Sequence, residues 1–292
     1  DTATKLYSEL VGNLMQDAQS VKKYWHFVKL MGRDTSHVTL EVALQTKPTI
    51  TLITEEIIDR KQSLSDIIDY IVSIIKARYD RNLSYGVIVI PEGLIEHISD
   101  DIVHFLTDYN DTDFMKSYDD HGHRALSAVP TEALLGRCVQ YALKESDVVF
   151  QPRYHSFGYE GRCGVPTRFD AWYAYHLGLT AGALVLGGHT GYMAAFNALP
   201  VGGEPLGIPL IGLFESFRSD ACDRFAIKRA PVDLASPAFT YFQSRRQAWS
   251  DSDCFTSPGP IQLYGPLASQ FPITVALNQG YESLDIFGAL VQ

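Results

Sequence analysis

The 292-residue sequence has no long hydrophobic run and no excess of basic residues. Its longest apolar stretches, such as Gly182–Leu186 and Val87–Ile90, are far shorter than the roughly 18 residues that a membrane-spanning helix needs. Lysine and arginine number 24 against 34 aspartates and glutamates, so the formal net charge is −10. Nucleic-acid binding relies on a basic surface that neutralises phosphates. The sequence therefore predicts neither a membrane protein nor a nucleic-acid-binding protein.

Cysteine is scarce as well, and the four cysteines show no metal or dithiol pattern. Cys138, Cys163, Cys222 and Cys254 form no C-x-x-C pair and have no regular spacing. They indicate reduced thiols in a cytoplasmic protein. The first residues, Asp1–Lys5, include no initiator methionine and no secretion signal, so we expect the chain to begin within a longer sequence.

Helical and strand-like patterns alternate along the chain, which is typical of layered α/β proteins. Predicted helices span 4–18, with an apolar stripe of Leu6, Leu10, Leu14 and Ala18, then 38–45 after a Ser36 cap, 64–78, 100–106, 131–143 and 169–186. Predicted strands span 24–31, 49–53, 86–90 and 192–196. The segment 110–129 reads as a polar surface loop, and beyond Pro200 the periodicity fades. We predict a three-layer α/β fold with a parallel sheet.

Two short motifs follow predicted strands, where open α/β sheets bind their ligands. Met31-Gly32-Arg33 ends the first strand; its glycine allows a ligand to approach the backbone, and its arginine can bind a phosphate. Glu92 follows the strand 86–90 and can accept hydrogen bonds from sugar hydroxyls. Each has an ordinary alternative, a turn with a solvated charge for Arg33 and a carboxylate stabilised by a helix dipole for Glu92.

Two further groups concentrate cations and aromatic rings. Tyr159–Arg162 lies in a predicted loop together with Arg153, His155 and Arg168, a set of donors that suits a dianionic ligand. Lys22–His26 precedes the first strand, and a solvated helix end is its alternative interpretation.

Three polar or glycine-rich segments are weaker candidates. Asp119–His123 has side chains that can bind a metal, but it lies in the polar loop. Gly187–Gly191 and Gly202–Gly203 fit neither the P-loop nor the dinucleotide-binding pattern and are predicted to be turns. The sequence also has no G-x-S-x-G motif.

Five segments, taken in order, resemble the phosphofructokinase family. They are Lys23–Phe27, Leu30–Arg33, Ser36–His37, Ile90–Ile95 and Gly158–Arg162, supported by Asp1–Lys5, Asp119–Gly122 and Ser257–Gln262. The similarity extends from residue 1 to about residue 268 and is closer to the long, pyrophosphate-dependent clade. It implies a phosphofructokinase-like α/β fold, with a sugar-phosphate lobe over 1–160 and a return to the donor lobe, with a C-terminal extension, over 161–292.

The resemblance implies a reaction and the residues that bind its substrate. The reaction is reversible phosphoryl transfer from pyrophosphate to fructose 6-phosphate, giving fructose 1,6-bisphosphate, in cytoplasmic glycolysis. Met31, Gly32 and Arg33 match the Met-Gly-Arg element that contacts fructose 6-phosphate, and Arg33 would also have a catalytic role by stabilising the transferring phosphoryl group. Glu92 matches the acid that binds the sugar hydroxyls.

The remaining matched residues imply a site shared between subunits. Tyr159, Glu160, Gly161 and Arg162 match the Tyr-x-x-Arg substrate element, with Arg162 near the fructose and its phosphate. In the clade the Lys-Tyr pair, here Lys23 and Tyr24, reaches the site of a neighbouring subunit, which implies a homodimer or higher oligomer. Arg153 stands where shorter relatives have another phosphate-binding arginine.

The family's Gly-Gly-Asp donor loop and Thr-Ile-Asp-x-Asp catalytic segment are absent from these residues. Mg²⁺ is expected to bind with the donor through ligands in those missing parts, which a separate N-terminal polypeptide could carry, so the chain alone is expected to be inactive. Two alternatives stay open: a non-catalytic regulatory subunit of a heteromeric enzyme, and a long ATP-dependent phosphofructokinase.

Overall fold

The protein is described here from a computed structural model. It describes residues 1–98, 101, 130–197, 199, 203–219, 222–227 and 229–280. The chain divides into two compact units. The larger unit contains Ala3–Gly164 and Pro231–Ile261, and the smaller unit contains Asp1–Thr2, Val165–Ala230 and Gln262–Gln292.

The helices of the described residues have these bounds: α1 Thr2–Val21, α2 His37–Thr46, α3 Thr54–Asp59, α4 Leu64–Tyr79, α5 Thr131–Ala142, α6 Arg168–Leu186, α7 Pro237–Asp251 and α8 Ile273–Asn278. The strands are β1 Trp25–Leu30, β2 Ile50–Thr51, β3 Gly86–Pro91, β4 Pro152–Phe157, β5 Tyr192–Asn197, β6 Glu204–Pro209, β7 Phe214–Ser219 and β8 Cys222–Ile227. Residues 94–98 are helical too. None of the helices in these ranges is long and apolar enough to cross a membrane.

The larger unit is built on a four-stranded parallel sheet with the strand order β2-β3-β1-β4. The predicted strands at 24–31 and 86–90 are confirmed, while the one predicted over 49–53 is reduced to Ile50–Thr51. The segment of Arg153 and His155, predicted to be a loop, is the edge strand β4. Its alternating polar residues gave no buried apolar run because one side of an edge strand faces solvent.

Alternate residues of the central strands pack on opposite faces of the sheet, as the pleat requires. Val28 and Val89 contact α1 and α2 on one face. Phe27 and Ile88 contact α4, α5 and the segment 94–98 on the other. The predicted three-layer α/β arrangement is therefore confirmed.

Two helices show where local sequence rules succeed and fail. Ser63 and Asp66 form a capping box at the start of α4, as expected for a serine followed by an acid three residues later. Ser36 precedes α2 as predicted, but its side chain makes no cap bond there. Its hydroxyl oxygen instead accepts a hydrogen bond from the Thr54 backbone at 3.1 Å, so Ser36 connects α2 to the start of α3.

Helix α7 lies in the second segment of the larger unit, Pro231–Ile261. Buried polar contacts join this segment to the rest of the unit. Arg78, which is 1% exposed, donates to the carbonyl oxygens of Tyr85 and Ser250 at 3.1 Å each, and to the Asp253 carboxylate at 2.7 Å. The Ser250 hydroxyl donates to the Thr49 carbonyl at 2.7 Å. These bonds attach the C-terminal part of the unit to α4 and to the residue that precedes β2, both far away in sequence.

The smaller unit packs α6 against the antiparallel hairpin β5–β6. Trp172 and Tyr173 of α6 each meet the ring of Phe196 edge-on, with ring centroids 6.0 Å apart. A second antiparallel hairpin, β7–β8, follows. Beyond Pro200, where the sequence periodicity fades, the structure contains β6, β7, β8, α7 and α8.

Two histidines lie side by side on β1 and β4. The Nδ1 atom of His26 is 2.9 Å from the Nε2 atom of His155, and the rings stack with centroids 5.1 Å apart. Burial and the neighbouring His155 lower the pKa of His26 to about 4. Burial also lowers the pKa of His155. Both rings are therefore neutral near pH 7.

We expect replacement of Arg78 by methionine to destabilise the protein by about 3 kcal/mol, because the substitution leaves a carboxylate and two carbonyls without their partner. Urea denaturation would measure the loss. Arg81→Met is the matched control: the Arg81 to Asp251 ion pair is 3.5 Å long and about half exposed, so its loss should cost less than about 1 kcal/mol. Equal losses for the two variants would contradict the role given to Arg78.

We also expect acid to weaken the fold through His26. Between pH 6.5 and about 4 the unfolded chain binds a proton at this position and the folded protein does not, so the free energy of unfolding falls as the pH is lowered. The expected slope is about 1.4 kcal/mol per pH unit from this group. Urea denaturation at several pH values in this range would measure it, and His26→Leu should show a smaller slope. Identical slopes would refute the assignment.

Candidate functional site

A cavity of about 360 Å³ opens at the carboxyl edge of the parallel sheet in the larger unit. It is lined by Lys29, Leu30, Met31, Glu92, Ser156, Phe157, Gly158, Tyr159, Glu160 and Arg162. These residues come from the ends of β1, β3 and β4 and from the turn after β4. Met31, Glu92 and Tyr159–Arg162, predicted from separate parts of the sequence, are thus brought together.

The turns after β1 and β3 touch each other through their backbones. The Gly93 N–H donates to the Gly32 carbonyl at 3.2 Å, and the Gly32 N–H donates to the Glu92 carboxylate at 3.3 Å. A Cβ atom at position 93 would lie 2.1 Å from the Arg33 carbonyl oxygen, so only glycine fits. Gly32 itself has a φ of 140°, which other residues rarely adopt. These contacts hold Glu92 at the rim of the cavity.

Arg33 lies beside the cavity and does not line it. Its Nε atom donates to the Glu96 carboxylate at 2.7 Å, and the side chain is 64% exposed. The hydrogen bond and charge of Glu96 raise the pKa of Arg33, which stays protonated. A surface ion pair of this kind is worth at most about 1 kcal/mol, so the guanidinium can exchange Glu96 for another anion.

The turn 158–162 rests on Tyr7 of α1. The Tyr7 hydroxyl donates to the Gly158 carbonyl at 2.6 Å, and a Cβ atom on Gly161 would lie 2.3 Å from the Tyr7 ring. The Glu160 carboxylate accepts the Gly158 N–H at 2.9 Å, which closes the turn. Burial, followed by the charge of Glu160, raises the pKa of Tyr7 to about 12, so the hydroxyl remains a donor.

Arg162 is anchored at the far end of that turn. Its Nε atom donates to the Met31 sulfur at 3.3 Å, and its guanidinium carbon lies 4.9 Å from the centre of the Tyr159 ring. Tyr159 is 80% exposed, so the pair forms a cation and a ring at the mouth of the cavity. An arginine in this setting can bind a phosphate or a carboxylate.

Lys23 and Tyr24 lie at the opposite end of β1. A six-residue strand separates them from Met31, a distance of about 20 Å at about 3.3 Å per residue. The Arg153 guanidinium carbon stands 4.0 Å from the centre of the Tyr24 ring, and Lys23 Nζ stands 5.0 Å from it. Hydrogen bonds with Lys23 and Arg153 lower the pKa of Tyr24. The structure does not bring these three residues to the cavity of the same chain.

Sequence reasoning missed Tyr7, Ser156 and Lys29. Lys29 interrupts an otherwise apolar strand, and its ammonium group lies 3.4 Å from the Glu132 carboxylate of α5. A charged residue within a buried strand is a signal that could have identified it. Tyr7 gave no comparable signal, because its role depends on where the turn 158–162 falls.

Two of the three weaker candidates lie wholly or partly outside the described residues. Asp119–His123 lies outside the described residues, as do Gly202 and most of the helix predicted over 100–106. Gly187–Gly191 is a turn, as predicted, with positive φ at Gly188 and Gly191. Within the described ranges no three histidine, cysteine, aspartate or glutamate side chains are grouped so as to hold a metal ion.

Comparison with known proteins shows which family the chain resembles in sequence. Residues 1–185 match the family model described as Phosphofructokinase. The chain is 38% identical over 324 aligned residues to the pyrophosphate–fructose 6-phosphate 1-phosphotransferase subunit beta of Ricinus communis, covering 96% of this chain and 58% of that protein. It is 36% identical to the pyrophosphate–fructose 6-phosphate 1-phosphotransferase of Porphyromonas gingivalis, covering 91% and 57%.

A solved structure supports the fold. Phosphofructokinase from Saccharomyces cerevisiae superposes with a TM-score of 0.50 at 17% identity, covering 72% of this chain and 22% of that one. The chain spans less than two thirds of the length of the curated relatives it matches. The family model matches more than half of the chain, and the relatives are more than 30% identical to it. The chain therefore belongs to the phosphofructokinase family.

Proposed function

We propose that this chain supplies the fructose 6-phosphate site of an enzyme that transfers a phosphoryl group from pyrophosphate to that sugar, giving fructose 1,6-bisphosphate. The observation that carries the proposal is the cavity where Met31, Glu92 and Arg162 meet at the carboxyl edge of the sheet. The names of the relatives from Ricinus communis and Porphyromonas gingivalis support the substrate and the donor.

In this proposal each residue at the cavity has a defined task. Glu92, held by Gly32, accepts hydrogen bonds from sugar hydroxyls. Arg162 binds the phosphate of fructose 6-phosphate through its charged fork. Arg33 releases Glu96 when the transferring phosphoryl group arrives, and the guanidinium then stabilises the negative charge of that group. The exchange costs little free energy because the ion pair of Arg33 with Glu96 is exposed to solvent.

The donor side of the reaction is proposed to come from elsewhere. The chain spans 58% of the Ricinus communis relative, and its 292 residues contain neither the donor loop nor the general-base segment expected from the family. We propose that an N-terminal part, in the same chain or a separate polypeptide, carries these groups and the Mg²⁺ ligands. Residues 1–160 would then serve as the sugar-phosphate lobe and 161–292 as the return to the donor lobe with its extension, in a cytoplasmic enzyme of glycolysis.

The cluster of Lys23, Tyr24 and Arg153 is proposed to complete the site of a second copy. None of the three residues lines the cavity of its own chain, and the length of β1, about 20 Å, separates Lys23 and Tyr24 from Met31. A two-fold dimer can place the same cluster at the partner's cavity, because each surface patch then serves the other subunit. Two cations and a phenol would bind the sugar phosphate from its outer side.

A regulatory chain is the second candidate. The chain is also 30% identical to the subunit alpha 2 of pyrophosphate–fructose 6-phosphate 1-phosphotransferase from Arabidopsis thaliana, so the family has subunits of two kinds. Identity to the subunit beta of Ricinus communis is higher, at 38%. The presence of Arg33, Glu92 and Arg162 together favours the catalytic lineage over a purely regulatory chain. An ATP-dependent enzyme would differ in the donor loop.

We expect fructose 6-phosphate to raise the unfolding temperature of the chain, and Arg162→Met to abolish most of that shift. Loss of a charge-assisted hydrogen bond to phosphate should weaken binding about tenfold or more. Thermal unfolding with increasing ligand would measure both effects. Arg245→Met is the matched control, because Arg245 lies over Tyr241 on α7 and does not line the cavity. No shift in the unaltered chain would reject the proposal.

A mixing experiment tests the shared site. Lys23→Met and Arg162→Met would each weaken sugar-phosphate binding alone, since every site in either homodimer lacks one group. After the two variants are unfolded together and refolded, half of the dimers pair unlike chains, and about a quarter of all sites are intact. Titration with fructose 6-phosphate should therefore recover about a quarter of the high-affinity sites. If none are recovered, Lys23 acts within its own chain or not at all.

A further inference from the structure

One charged side chain lies where the sheet is otherwise apolar. Lys29 of β1 is 9% exposed, and its neighbours Val28 and Leu30 are fully buried. Lysine is almost never buried unless its charge is paired or used. Lys29 also lines the cavity at the carboxyl edge of the sheet. Its place in the strand therefore puts a cation at the inner wall of the candidate site.

The partner of Lys29 is a buried carboxylate. Glu132, in the first turn of α5, is 6% exposed, and its Oε2 atom lies 3.4 Å from Lys29 Nζ. That oxygen makes no hydrogen bond to the residues that the structure describes. Burying two charges costs more than their attraction returns unless good hydrogen bonds complete the pair. The ion pair is thus a weak source of stability, which points to another use of the charge.

The charges around the cavity show what that use can be. Two carboxylates, Glu92 and Glu160, line it together with the exposed guanidinium of Arg162. With these three groups alone the lining would be negative and would repel an anion. Lys29 is the second cation of the lining, and it is the buried one. Lys29 lines the cavity and its partner Glu132 does not, so an anion in the cavity meets the ammonium group of the pair and not the carboxylate.

We propose that Lys29 is a further substrate-binding residue, which donates a hydrogen bond to an oxygen of the phosphorylated sugar, and that Glu132 is a positioning residue that directs its ammonium group. The inference rests on the proposed function, because it takes fructose 6-phosphate as the ligand. It adds a binding group from the strand to those that come from the turns.

The test measures the affinity of the chain for fructose 6-phosphate by titration calorimetry, with urea denaturation of each ligand-free protein beside it. Lys29→Met keeps the length of the side chain and removes its charge, and it should raise the dissociation constant about tenfold or more. Glu132→Gln should weaken binding by a smaller factor, because the ammonium group remains but is no longer directed. Unchanged affinity in Glu132→Gln would overturn the positioning role.

The double variant Lys29→Met/Glu132→Gln separates binding from folding. It removes both charges, so the buried region stays neutral even if Lys29→Met alone leaves Glu132 unpaired and fails to fold. Binding as weak as in Lys29→Met, or about tenfold weaker than in the unaltered chain, supports a direct role for the ammonium group. Recovery of full affinity would show that Lys29 only neutralises Glu132, which overturns the proposal.

The two proposals fail in different ways. If the unaltered chain binds fructose 6-phosphate and the double variant binds it equally well, only the role of Lys29 is wrong. If the unaltered chain does not bind fructose 6-phosphate, the proposed function fails, and the inference about Lys29 fails with it. The salt dependence of binding gives an independent readout, since removal of a cation that binds the ligand should make the dissociation constant less sensitive to ionic strength.

Discussion

The backbone contact between the turns after β1 and β3 is the constraint on which the candidate site depends. Two parallel strands end side by side, and the chain leaves both through glycine, because a Cβ atom at position 93 would overlap the Arg33 carbonyl. This contact sets the distance between Met31 and Glu92, and the hydrogen bond from Gly32 fixes the orientation of that carboxylate. The turn 158–162 then joins the same edge through the hydrogen bond from Arg162 to the Met31 sulfur.

Much of the larger unit could be predicted from the sequence, because its buried strands and helices have strong local patterns. The β-branched run before Pro91 and the serine and aspartate at the start of α4 each indicate one structure only. The motifs at the ends of β1 and β3 could be located for the same reason, since ligands bind at the carboxyl ends of parallel strands. Their convergence with Arg162 depended on the resemblance to a family.

The errors have a common physical origin in contacts between distant segments. In the predicted stripe of α1, Leu6, Leu10 and Leu14 are only half-buried and Ala18 is fully buried. The other buried apolar residues of the helix are Tyr7, Val11 and Met15. Tyr7 is buried because the turn 158–162 covers it. Likewise the strands β4 and β6 have few buried residues, so no periodicity marks them.

The discontinuity of the larger unit has a consequence for its synthesis. Arg78 reaches Ser250 and Asp253 across more than 170 residues of chain, and the smaller unit's residues 165–230 are made between these partners. As the chain emerges from the ribosome, the buried guanidinium has no carboxylate to meet until α7 has been translated. Contacts of such long range slow folding and prolong the exposure of apolar surface. All four strands of the parallel sheet are therefore translated before Ser250 and Asp253, the distant partners of Arg78.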